Sequence, residues 1–178
     1  MFRMSLTLMV MILSLSFASA ATTSNIGWVD IQKALQSVEA GKRAKNNFEQ
    51  EVAKARNDLQ KQDSALKEEQ EALQKQAMML SEKVKRDKMQ EFQKKVFEFQ
   101  QKFQQTQVTM QKREQELTFP IINELVKIVE EVSKEDGLSY VLEKSQSSLV
   151  YAQPDLDLTD KVIARYNKLY DKDGKRKK

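Results

Sequence analysis

Three groups of side chains in this sequence are of the types that carry chemistry. Glu68-Glu69 and Glu130-Glu131 are paired carboxylates, and Asp155, Asp157 and Asp160 cluster their oxygens over a short span. Paired carboxylates do acid–base work when their surroundings push their pKa values apart, and clustered oxygens bind hard cations. Both uses need a framing pocket, and most enzymes and metal sites add His or Cys. This chain has neither residue, which removes thiol nucleophiles, disulfides, lipidated cysteines, the usual general base and the usual zinc ligands. The glutamate pairs therefore read as solvation of helix surface. The aspartates lack the spacing of a calcium loop and read as capping of the helix that follows them. We expect no catalytic residue, no metal and no cofactor.

The third group is basic. Lys83, Lys85, Arg86, Lys88, Lys94 and Lys95 stand against Asp87 and Glu91 in the same stretch. Such a run attracts anionic partners, although on a long helix it is often only a solvated face. Beside it lie Met78 and Met79, flexible and polarizable side chains suited to varied apolar partners or to packing at a tight turn. Phe92, Phe97, Phe99 and Phe103 follow. Of these, Phe92, Phe99 and Phe103 fall on an apolar stripe and are expected at a helix seam, whereas Phe97 lies off it and is the better contact for a partner. Together these residues suit weak, adaptable holding of a chain.

The elements that position them follow from punctuation. The four glycines are Gly27, Gly41, Gly137 and Gly174 and the two prolines Pro120 and Pro154, so nothing between Lys42 and Phe119 breaks a helix. Globular helices seldom exceed about 20 residues, so a coiled coil or an extended hairpin is implied. Val52, Leu59, Leu66, Leu73 and Leu80 recur at heptad spacing, and Phe92, Val96, Phe99, Phe103, Met110 and Leu117 make a second thin stripe. Each stripe needs the other. Ser81 is a candidate N-cap with Glu82 behind it, which places the tip at about 78–83. The arm spans 31–119, its first helix running unbroken from about Ile31 to Met79 and its second continuing to about Asp136, with a kink or restart at Pro120.

The flanking segments, 21–30 and 120–170, predict a small α+β body. Strands are expected at 25–29, 138–143 and 148–152, the last two joined as a hairpin through 144–147, before a final amphipathic helix after Asp157. A three-stranded sheet with one short helix is a poor core, so the body is expected to be completed by other copies of the chain through Ile26, Trp28, Tyr140, Leu142, Leu149 and Tyr151. The fold class is thus mostly α within α+β. Residues 171–178 are expected to be a disordered basic tail.

At the N-terminus, Arg3, an apolar run from Leu6 to Phe17 and the small residues Ala18 and Ala20 read as a secretory signal of residues 1–20. About twelve apolar residues rise only about 18 Å as a helix, short of a bilayer core of about 30 Å. Export beyond the inner membrane argues against a nucleic-acid partner, and no glycine-rich phosphate loop is present to bind nucleotide.

These pieces in this order resemble the Skp (OmpH) family of periplasmic chaperones. The resemblance rests on Ile-Gly-Trp-Val-Asp at 26–30, Glu-Ala-Gly-Lys at 39–42 and the long Gln- and Lys-rich hairpin. It continues with Pro-Ile-Ile-Asn-Glu-Leu from 120, Gly-Leu-Ser-Tyr-Val-Leu from 137 and Asp-Leu-Thr-Asp from 157. Trp28 departs from the Tyr or smaller apolar residue expected there. The resemblance implies a homotrimer whose three hairpins hang as tentacles around a cavity. It also implies an ATP-independent periplasmic holdase for unfolded outer-membrane proteins. The alternative is a structural coiled-coil protein of the envelope or a secretion adaptor, which would use the outside of a continuous rod.

The formal charge of +4 conceals a separation. Residues 42–112 carry 16 basic and 11 acidic residues, a balance of +5, whereas 21–41 with 113–170 carry 8 and 13, a balance of −5. The arm is basic and the body acidic. An anionic membrane surface is therefore a second candidate partner, and lipopolysaccharide a third with no residues assigned to it.

Overall fold

The computed structural model describes residues 25–177. The signal segment with Ala18 and Ala20 lies outside the described residues. The chain runs β1 (Ile26–Val29), α1 (Ile31–Ser37), α2 (Glu39–Gln76), α3 (Glu82–Glu135), β2 (Tyr140–Glu143), a single 3-10 turn at Pro154–Leu156, and α4 (Thr159–Leu169). The fold is mostly α with a small sheet, and α2 and α3 form the antiparallel hairpin.

Local chemistry starts and stops these helices. The Asp30 carboxylate accepts the Lys33 amide at 2.7 Å and opens α1, and the Ser81 hydroxyl accepts the Val84 amide to open α3. At the far end of α3 the Leu138 amide reaches the Ser133 carbonyl and the Gly137 amide the Lys134 carbonyl. Gly137, at φ 64°, supplies the left-handed residue that this closure needs. Between these ends α3 holds 54 residues and passes through Pro120 without interruption, so the helix does not restart there.

The first helix does not run unbroken. Val38 is extended (φ −68°, ψ 147°) and divides α1 from α2. The reason is tertiary: the bend leaves Ala34 and Val38 without solvent exposure, and the Asn167 side chain of α4 accepts the Glu39 amide at 3.1 Å, capping α2 from a distant element.

The sheet corrects a second expectation. It has two strands, and they are parallel, with Ile26 opposite Tyr140 and Val29 opposite Glu143. Parallel strands require a long crossover, and here the whole helical hairpin is that crossover. The expected third strand at 148–152 is absent. Ser148 takes a left-handed backbone (φ 50°) that breaks the extended run, and residues 144–148 form turns. The other edge of β1 is met instead by Asp157, bridged to Trp28.

The core lies wholly at the root of the hairpin. Thirteen apolar residues are buried, from Val29 to Ala44 and from Ile121 to Tyr166, whereas none from 45 to 120 is. Thr159, fully enclosed, is satisfied: its hydroxyl donates to Asp157 and accepts the Asp30 amide at 3.0 Å, fastening the β1–α1 corner to α4. The tail also departs from the disorder expected of it. Residues 171–177 fold back, with Tyr170 bridged to Arg176 and the Lys177 amide donating to the Leu169 carbonyl at 2.8 Å.

Candidate functional site

The arm is the candidate site. At 1.5 Å per residue, the 38 residues of α2 extend about 57 Å and the 54 of α3 about 81 Å. Their stretch from 45 to 120, with no buried residue, is held by a thin seam and by cross-helix pins. Leu59, Leu66, Leu73 and Leu80 of the first stripe and Phe92, Val96 and Phe99 of the second are half-buried between the helices. Phe92 lines a groove with Leu73, Leu80 and Met89, and Phe99 one with Leu66. Two ion pairs cross the seam. The Arg113 guanidinium clasps Glu51 through Nε and a terminal nitrogen at 2.9 and 3.0 Å, and Lys95 meets Glu69 at 2.8 Å. Hydrogen bonding to Arg113 holds the Glu51 carboxyl below the usual range, and that to Glu69 raises Lys95.

These contacts sort the residues expected to bind a partner. Met78 and Met79 project from the turn between the helices, Met78 almost fully exposed at 97%. Lys83, Lys85, Arg86 and Lys88 are exposed and take part in no ion pair among the described residues. Lys95 does not belong with them: facing α2, its charge is engaged by Glu69 and by Glu91. Lys94 is exposed beside Glu98 on its own helix. Phe92 and Phe99 sit in the seam as the stripe requires, and Phe97 is 58% exposed. Phe103 is less well covered than the rest of its stripe, at 45% exposure.

One pattern was missed in the sequence. Val108 and Phe119, with Phe97, are each more than half exposed and lie eleven residues apart. Eleven residues turn a helix by about 20° beyond three full turns, so all three share one face, as does Val126. Lys83, Arg86, Gln90, Gln101, Gln104 and Gln115 fall on that same face by the same rotation. It runs from a basic tip into a stripe of glutamines and apolar side chains without a carboxylate. Its signature in the sequence is an eleven-residue repeat, which the heptads do not carry.

The body residues expected to meet other copies also separate. Tyr140, Tyr151, Ile26 and Leu142 are exposed, and Leu149 and Trp28 half-buried. Trp28 is engaged within the chain: its indole N–H donates to the Gln153 carbonyl at 3.0 Å, and the Lys144 ammonium lies 5.4 Å from its ring centre. Val150, at 99% exposure, stands free beside Tyr151. Among the described residues no cluster of carboxylates could hold a metal ion, and no helix is long and apolar enough to cross a membrane.

Against this geometry, residues 25–166 match the family described as outer membrane protein (OmpH-like). Among solved structures, a Caulobacter crescentus protein described provisionally as an outer membrane chaperone (OmpH-like) superposes with a TM-score of 0.71. It is 21% identical, over 81% of this chain and 84% of that one. No curated protein matches the chain.

Proposed function

The chain belongs to the OmpH-like outer membrane protein family, and from that membership we propose that it is an ATP-independent holdase for unfolded outer-membrane proteins in the periplasm. The observation that carries this reading is the arm. Evolution of a helix pair for stability would bury its long faces, yet nothing from 45 to 120 is buried. What α3 presents instead is a carboxylate-free face of Phe97, Val108 and Phe119 behind the unpaired bases of the tip. Such a face offers many shallow apolar contacts and no deep pocket, which suits clients that share composition but no fixed shape. The basic tip draws them in and the stripe holds them.

The same reading makes the working unit a homotrimer. Two four-residue strands are marginal as a sheet, and Tyr140, Leu142, Val150 and Tyr151 leave apolar surface exposed. Residues 149–152 pair with no strand among the described residues, and pairing with a second copy would cover both surfaces. Three arms then enclose a cavity, with the body, residues 25–30 and 120–170, as its roof. Residues 1–20 act as the export signal.

The test is aggregation of an unfolded barrel protein diluted from denaturant, with and without the exported form of this chain and without nucleotide. Suppression near one trimer per client, with a complex on sedimentation, is expected. Unchanged aggregation and no complex would overturn the reading. A rod of coiled coils serving as an envelope adaptor would instead sediment as an extended species and leave the client to precipitate.

A further inference from the structure

The seven residues after α4 bind three elements at once. Asp171 accepts the amides of Asp173 and Lys175 on its side chain, both at 2.9 Å, and its own amide donates to the Lys175 carbonyl, closing a tight turn. That turn carries Asp173 to Arg43 of α2 at 2.8 Å. It also sets Gly174, at φ 72°, into a gap where an added Cβ would meet Tyr166, Ala40 and Ile121 at 3.4–4.0 Å. Lys177 returns to α4 through the Leu169 and Asn167 carbonyls. Ala40 and Arg43 stand at the foot of α2, Ile121 at the foot of the arm on α3, and Tyr166 on α4. The tail therefore ties together the places where both arm helices enter the body.

The closure is incomplete in one respect. The Tyr166 hydroxyl is buried without a hydrogen-bond partner, and Gly174 lies directly beside it. Enclosing an unpaired hydroxyl opposes closure, since the group loses its water and gains nothing. Against it stand one exposed ion pair, the exposed side-chain hydrogen bonds of Asp171 and Lys177 and a few backbone bonds, each weak at a surface. The closed and open states are thus near enough in free energy for both to be visited.

We propose that residues 171–177 are a latch on the root of the arm: closed, they hold both arm helices to α4; open, they free the arm to swing from the body. This goes beyond the holdase reading and does not depend on it, because it concerns the chain without a client.

Amide exchange of the full chain tests it. Gly174→Ala puts a side chain on a left-handed backbone that resists one, and is expected to speed exchange at residues 40–46 and 118–124 about tenfold. Asp173→Arg should speed it about two- to fivefold. Arg43→Asp combined with Asp173→Arg should restore the slower rate. Exchange at Ile128–Val132, deeper in the core, should change less than about twofold in all of them. Unchanged exchange at the root in Gly174→Ala, or an equal rise at Ile128–Val132, would overturn the latch. The first would mean that the tail restrains nothing, the second that it only adds global stability.

Discussion

The body and the arm share the helices α2 and α3 and obey different physics. Around Leu125, Ile128 and Val132, α3 is buried against α1 and α4, and its register is set by volume. From Arg113 toward the tip the same helix is paired with α2, with half-buried side chains and ion pairs at intervals. The centre of the body thus resists change because its side chains are enclosed on every side. The arm keeps its apolar surface available because nothing of its own covers it. A protein that must hold chains of varied shape gains from that division: a fixed point of assembly joined to limbs with few long-range contacts.

Four measurements would break or sharpen this contrast. Leu125→Ala should lower stability by about 3 kcal/mol, as a cavity in a closed core does, whereas Leu66→Ala in the half-exposed seam should cost about 1 kcal/mol. Equal losses in chemical denaturation would erase the distinction between the regions. The triple change Phe97→Ser, Val108→Ser and Phe119→Ser should leave the denaturation midpoint nearly unmoved while weakening client holding about tenfold; a loss of fold with no loss of holding would place the stripe in the structure and not in the function.

Reversal of Lys83, Lys85, Arg86 and Lys88 to Glu should slow client capture several-fold at low salt and flatten its salt dependence, roughly within the range of electrostatic steering. Capture equally fast in both proteins from low to high salt would remove steering from the mechanism. The smallest effect is expected from the pins. Glu51 titrates below its ordinary value of 4.5 because Arg113 hydrogen-bonds it. Its contribution is therefore present above about pH 4.5 and fades as pH falls through the lowered folded value. Glu51→Gln should raise exchange in the arm near Arg113 and remove part of the acid sensitivity there. An identical pH profile in the variant would show that the pin is idle.

Much of this architecture could be read from single residues. The absence of Gly and Pro between 42 and 119 dictated long helices, the leucine heptads dictated their pairing, and Ser81 and Gly137 carried the cap and the stop in their own side-chain and backbone preferences. These are local signals, and local physics decides them. Val38 gave no such sign, because a valine in a helical run is extended here only to bury itself and to let Asn167 cap the next helix. The segment 148–152 had the composition of a strand, but Ser148 takes a left-handed backbone and the segment pairs with no strand among the described residues. Lys95 and Lys83 look alike in sequence. Only the angle at which α2 meets α3 gives the first a carboxylate and leaves the second bare.

The +4 total behaves in the same way. Composition determined by itself that no thiol, disulfide or imidazole takes part in anything this chain does, because those side chains are missing whatever the fold. Sequence also placed the excess positive charge in the arm and the excess negative charge in the body. Which bases stand free, which carboxylates bind them and where the basic tail lies were decided by tertiary structure. Charge is a property of residues, whereas availability is a property of their neighbours: Asp173 reaches Arg43 across 130 positions of chain, a separation no local pattern encodes.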